Sequence, residues 1–173
     1  MRPLMMSEHY GMSYALRLLI HYIGDHHQPV HQIIVLNKEH PKGWDLSSIP
    51  IPVKYEEFPT VKSLHATWDN SLYELLEIEE PPFTDEVWGN LGAKLQILVD
   101  KYPLIPADYQ EFDLFKWAQQ TFDQVAPVVL DSIQENSPLP DDYLVKNRPF
   151  IERQIVLAGH RLAFLIQTLF GGE

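Results

Sequence analysis

The sequence predicts an all-α fold, a multi-helix chain with one long irregular insertion between its first two helices. Three observations predict it: apolar stretches long enough for helices, capping residues ahead of several of them, and prolines crowded into one segment. Ser7 is placed to cap a first helix running to about Gly24 or Asp25, and Pro29 prevents its simple continuation through His31. Within it, Tyr14 to Ile23 is apolar on nearly every side, as expected of a helix enclosed by others. Residues 32–59 differ in kind, holding Pro41, Gly43, Pro50, Pro52 and Pro59 around a β-branched stretch from Ile49 to Val53. They read as a long loop with room for a short hairpin.

Thr60 is the expected cap of a second helix to about Glu77, which carries His65 and Asp69 and is ended by Glu79-Glu-Pro-Pro82. Thr84, followed by Asp85 and Glu86, opens a third helix to near Lys101, with acidic groups favourably placed in its first turn. A fourth is expected from about Asp108 to Asn136, bent or broken at Pro127. After the Pro138/Pro140 turn, Pro149 is read as the start of a last helix. Its residues Ile155, Val156, Leu162, Leu165, Ile166 and Leu169 form one apolar face, and Gly171-Gly172 lies beyond its end.

With 173 residues, 45% of them hydrophobic and 12% aromatic, the chain can build one domain, residues 1–173, with a real core. There is no cysteine, so neither a disulfide framework nor a thiolate metal site is available. The opening Met1 to Ser7 lacks the apolar core of a signal peptide, and no run is long enough to span a bilayer. The formal net charge of −11, from 13 Lys+Arg against 24 Asp+Glu, argues against nucleic acid held on a broad basic surface. It leaves room for a metal-dependent nuclease, because bound cations can neutralise a phosphodiester in acidic surroundings.

Two His-x-x-x-Asp pairs, His21/Asp25 and His65/Asp69, carry the candidate chemistry. Spacing of i,i+4 puts an imidazole and a carboxylate one turn apart on one helix face. A single pair of this kind is more often an ion pair than a metal site. Two pairs, with His31 in the loop after the first, shift the reading towards metal. Imidazole and carboxylate without thiolate make zinc the default, and His31, His65 and Asp69 together form a three-ligand set with an open fourth position. His21 and Asp25 supply only two further ligands.

The run Leu18-Leu-Ile-His-Tyr-Ile-Gly-Asp-His-His-Gln-Pro-Val-His31 resembles the first signature of the S1/P1 nuclease family, the single-strand-specific zinc nucleases. Leu64-His-Ala-Thr-Trp-Asp69 resembles its second, Leu157-Ala-Gly-His-Arg-Leu-Ala163 its carboxy-terminal helix, and Trp117-Ala118 falls in the matching region between. The resemblance implies an all-α fold related to phospholipase C. It further implies zinc-dependent hydrolysis of single-stranded DNA and RNA to 5′-nucleotides, with 3′-nucleotidase activity. In it, His21 binds one zinc, Asp25 is the metal-bridging catalytic carboxylate, and His31, His65 and Asp69 hold another. His27 matches the motif without being a ligand, and His9, His26, His40 and His160 match no ligand position.

A complete family site holds three zincs, and its remaining ligands lie in an amino-terminal part of the domain. The chain therefore reads as the carboxy-terminal portion, its site completed by a partner or an oligomer, with poor solubility expected of it alone. The substrate implied is single-stranded nucleic acid or nucleotides. The family is usually secreted or found in an acidic or vacuolar compartment, and this chain carries no signal of its own. Lys42-Gly-Trp44 stands where the family tends to have Gly-Gly-Asn, which predicts a different cleft lip. Two alternatives remain: a catalytically dead relative keeping one structural zinc, and a zinc phosphodiesterase acting on phospholipid, for which Ile33 to Leu36 would be a membrane-facing loop.

Overall fold

A computed structural model describes residues 2–35, 44–45, 63–70, 72, 82–131 and 139–171, and they are almost wholly helical. In chain order these are α1 (Arg2–His27), a 3-10 turn (Pro29–Gln32), β1 (Ile34–Val35), β2 (Trp44–Asp45), α2 (Leu64–Asp69), α3 (Asp85–Lys101), α4 (Pro106–Tyr109), α5 (Leu114–Asp131) and α6 (Tyr143–Phe170). The two strands pair antiparallel, Ile34 with Asp45 and Val35 with Trp44, and make the short hairpin of the insertion. The β-branched stretch from Ile49 to Val53 lies outside the described residues.

Several boundaries differ from the sequence expectation. Helix α1 passes through Ser7 and ends at His27, where Pro29, at the first position of the 3-10 turn, replaces its continuation. Ser63, not Thr60, caps α2, its hydroxyl accepting from the Ala66 N–H at 3.1 Å, and the helix closes at Asp69 rather than Glu77. Thr60 and residues 73–80 lie outside the described residues. The expected fourth helix is two, because Asp113 accepts from the N–H groups of Phe115 and Lys116 and starts a new helix there. Helix α5 continues through Pro127 to Asp131.

Helix α6 begins at Tyr143, six residues ahead of Pro149, which sits inside it. Buried Tyr143 anchors that first turn by accepting from the Trp68 indole at 2.9 Å. That contact adds to a start already fixed by Lys146 N donating to the Asp142 carbonyl. Helix α3 follows the expected bounds, with Thr84 capping it through Val87 N. It is tied to α6 by the buried carboxylate of Glu152, which accepts from Lys101 Nζ and the Tyr102 hydroxyl.

Two apolar clusters hold the helices. The larger joins Val30 and Ile33 of the loop after α1 to Leu64 and Trp68 of α2, Val125 and Val129 of α5, and Tyr143 and Ile151 of α6. The smaller joins Ile23, Trp117 and Leu165, with Leu19, Leu114 and Leu162 against them. Ile33 is therefore a core residue rather than part of a membrane-facing loop, while Ile34 is exposed. Of the apolar face read for α6, Val156 and Leu165 are buried and Leu169 is 58% exposed. Among the described residues helix α1 is not enclosed. Its Tyr10, Met12, Tyr14, Ile20 and Tyr22 all lie open, Tyr10 at 78%, while Leu19 and Ile23 near its end pack with Trp117 and Leu165. No helix among the described residues is long and apolar enough to cross a membrane.

Candidate metal centre

The centre forms where three elements meet: the end of α1, the 3-10 turn behind Pro29, and α2. On α1 the i,i+4 spacing puts His21 Nε2 3.2 Å from Asp25 Oδ2, and on α2 it puts His65 Nε2 3.2 Å from Asp69 Oδ2. The turn then carries His31 between the two pairs. Its Nε2 lies 3.0 Å from His65 Nε2 and 3.5 Å from Asp69 Oδ1, and its Nδ1 lies 3.7 Å from Asp25 Oδ1. All five residues line one open cavity of about 620 Å³. Trp68, Ile151, Ile155 and Ala158 give it apolar walls.

Among the described residues, His31, His65 and Asp69 are the one group of three whose ligating atoms lie within 4.8 Å of one another. Two ligands at zinc bond lengths and a tetrahedral angle stand about 3.3 Å apart. The two imidazole nitrogens stand 3.0 Å apart, and each has one Asp69 oxygen near that distance, Oδ2 at 3.2 Å from His65 and Oδ1 at 3.5 Å from His31. The donor chemistry also fits, because two carboxylates and three imidazoles converge with no lysine or arginine among the described residues of the cavity lining. These residues can hold a divalent metal. His21, 66% exposed, and Asp25 contribute a two-ligand edge beside the group of three.

Gln28 is the residue that sequence reasoning missed. Its Nε2 donates to Asp69 Oδ1 at 2.7 Å, while its Oε1 accepts from Val30 N at 2.6 Å and caps the 3-10 turn. One side chain thus fixes both the turn that presents His31 and the carboxylate it faces. The capping half of that role was legible, since Gln28 directly precedes Pro29 at the start of the turn. His65 Nδ1 is buried with no hydrogen-bond partner, so nothing among the described residues anchors that side of the ring.

His27, inside the same run, does something else. It is buried, with Nδ1 2.7 Å from the Ile23 carbonyl and Nε2 taking a hydrogen bond from Arg161 at 2.8 Å. Burial, aided by the Arg161 charge, pushes its pKa down to about 4, so the ring is neutral at pH 7. Arg161 stacks 4.6 Å over Trp117, which joins the ends of three widely separated sequence blocks. His160 packs on Tyr109, with Nδ1 2.9 Å from the Val156 carbonyl. His26 is half-buried with an unpartnered Nδ1, and His40 lies outside the described residues.

Comparison with known proteins identifies the family. A family model described as S1/P1 Nuclease matches residues 3–171. Endonuclease 3 of Arabidopsis thaliana is 25% identical over 172 residues, covering 95% of this chain and 54% of that protein. Endonuclease 4 of the same plant is 23% identical over 178 residues, covering 95% and 53%. Endonuclease 5 is 25% identical over 169 residues, covering 95% and 54%. The chain thus spans about half the length of the curated relatives it matches. No solved structure matches it. With nearly every residue inside the family match, the chain belongs to the S1/P1 nuclease family.

Proposed function

We propose that this chain is the carboxy-terminal portion of a zinc-dependent endonuclease that cleaves single-stranded DNA and RNA to 5′-nucleotides and removes 3′-phosphates from nucleotides. The observation that carries the reading is the convergence of His31, His65 and Asp69 in an open cavity beside His21 and Asp25. Family membership and three relatives named endonucleases support the nuclease chemistry.

Zinc bound there supplies Lewis acidity at the phosphoryl group and a water nucleophile active at neutral pH. His31 and His65 would hold it through Nε2, and Asp69 through a carboxylate oxygen. Asp25, between His21 and His31, would be the bridging carboxylate of this reading. Gln28 fixes the Asp69 carboxylate, so the ligand set is oriented before metal arrives. Without a cation, the two carboxylates repel a phosphodiester, which makes substrate binding depend on the loaded centre. The cavity, about 620 Å³, lies within the range of sites that enclose a small organic ligand, wide enough for a nucleotide unit.

One observation favours a second reading. Among the described residues only one group of three ligands forms, and His21 with Asp25 makes half a site. A relative that holds one zinc and binds without cleaving would have this arrangement. The zinc content of the purified chain, measured with His31→Ala and His65→Ala beside a single-stranded DNA digestion, separates the two. Two or three zincs with cleavage are the expected result for the nuclease, its remaining ligands coming from another segment or copy. One zinc, lost in both variants and without cleavage, establishes the binding protein. A chain that retains no zinc overturns both.

A further inference from the structure

A second cavity, about 200 Å³, shares Gln154 with the first and is otherwise built from different residues. Arg153, Arg161, Gln120, Thr121 and Asp108 supply its polar lining. We propose that it binds a small protonated oxyanion, inorganic hydrogen phosphate, between the Arg153 and Arg161 guanidiniums, with Gln154 Oε1 accepting from the anion's hydroxyl.

The first support is a buried cation that makes no ion pair among the described residues, the Asp108 and Glu111 carboxylates acting on it only from a distance. Arg161 is 3% exposed, and its hydrogen bonds among the described residues go to the Asp108 carbonyl at 3.2 Å, the Gln120 amide oxygen at 2.8 Å and His27 Nε2 at 2.8 Å. A guanidinium has five N–H donors, so one on each terminal nitrogen remains. Stacking on Trp117 fixes the plane of that fork. Arg153, half-buried in the same lining, has no hydrogen bond or ion pair among the described residues. Burial first, and the Arg153 charge second, bring the Arg161 pKa down to about 10 against the opposing effect of the Asp108 and Glu111 carboxylates.

The second support is independent and sets the ligand's chemistry. Gln154 is 3% exposed, its Nε2 donates to Thr121 at 3.2 Å, and its Oε1 has no hydrogen-bond partner among the described residues. Gln154 lines the recess, and an unpartnered acceptor on it suits an anion that still carries a proton. Asp108, one oxygen of which caps Ile105 N at 2.9 Å, adds a second acceptor and disfavours a fully deprotonated ion. Sulfate has no proton at neutral pH, whereas phosphate does. The volume falls below the ~300 Å³ at which pockets begin to enclose larger organic ligands, which favours the free ion over a nucleotide. None of this rests on the zinc reading.

Inorganic phosphate titrated calorimetrically at pH 7 into the full chain tests it, with chloride matching the ionic strength. Wild type and His31→Ala should bind one phosphate equally. Arg153→Gln should bind about tenfold more weakly, while Arg153→Lys, which keeps the charge, should retain most of the affinity. Sulfate should also bind about tenfold more weakly than phosphate. Binding lost in His31→Ala but kept in Arg153→Gln would place the ion at the metal-ligand cluster and overturn the assignment, as would absent saturable binding or equal sulfate affinity. Adenosine 5′-monophosphate matching phosphate in His31→Ala would overturn the free-ion assignment in favour of a nucleotide's terminal phosphate.

Discussion

His27 and His31 lie four residues apart in one short run, and the molecule uses them in opposite ways. His27 faces inward, both ring nitrogens engaged, neutral and wedged between Ile23, Arg161 and Trp117. His31 faces the large cavity, where its Nε2 meets another imidazole nitrogen and a carboxylate rather than a committed donor. Pro29 produces the difference by ending α1 after His27, so the next histidine is presented by a new turn with a different axis. A closed junction fixes the helices, and the open cluster beside it is left with lone pairs to spend on a cation.

This contrast can be broken from either side. The largest stability effect belongs to the junction. Trp117→Ala, which empties the space under Arg161 and beside His27, should cost about 3–5 kcal/mol in denaturant unfolding. His31→Ala in the same assay, with chelator present, should change stability by less than about 1 kcal/mol. Equal losses would mean that the cluster is as structural as the junction.

Acid should act next, and on the junction. The folded-state pKa of His27 is depressed to about 4 from 6.5, so between those values the unfolded chain binds the extra proton. Stability is therefore full above about pH 6.5 and falls by about 3 kcal/mol as pH drops to 4. Unfolding measured across that window in chelator should show the slope in wild type and lose most of it in His27→Gln.

The cluster should answer to metal instead. His65→Ala, which removes one of the proposed ligands, should weaken zinc binding by more than about 100-fold in a competitive chelator titration. Gln28→Ala, which frees the Asp69 carboxylate, should weaken it by about 10–100-fold. Gln28→Glu, which keeps the cap on Val30 N but puts a carboxylate oxygen against Asp69, should fail to restore affinity. Unchanged affinity in both Gln28 variants would show the Asp69 carboxylate to be held by other means.

The sequence made part of this legible because part of it is local. The His21/Asp25 and His65/Asp69 pairs follow from helical repeat alone, and Thr84 announced α3 through its own hydroxyl. The start of α6 was misread because Pro149, an ordinary opening residue, sits in the helix interior, where buried Tyr143 anchors the turn before it. The all-round apolar pattern of α1 suggested enclosure, yet it does not say which side is covered, and among the described residues Tyr10, Tyr14 and Tyr22 stand open.

By itself the sequence determined an all-α chain, its candidate ligand types and the two pairs one turn apart, since these depend on residue chemistry and on contacts within four positions. Only the tertiary structure decided which histidines converge. His31 meets His65 across 34 residues, Gln28 meets Asp69 across 41, and Arg161 meets His27 across 134. Such pairings are fixed by how α1, α2 and α6 pack around a shared core, and no local spacing encodes that packing.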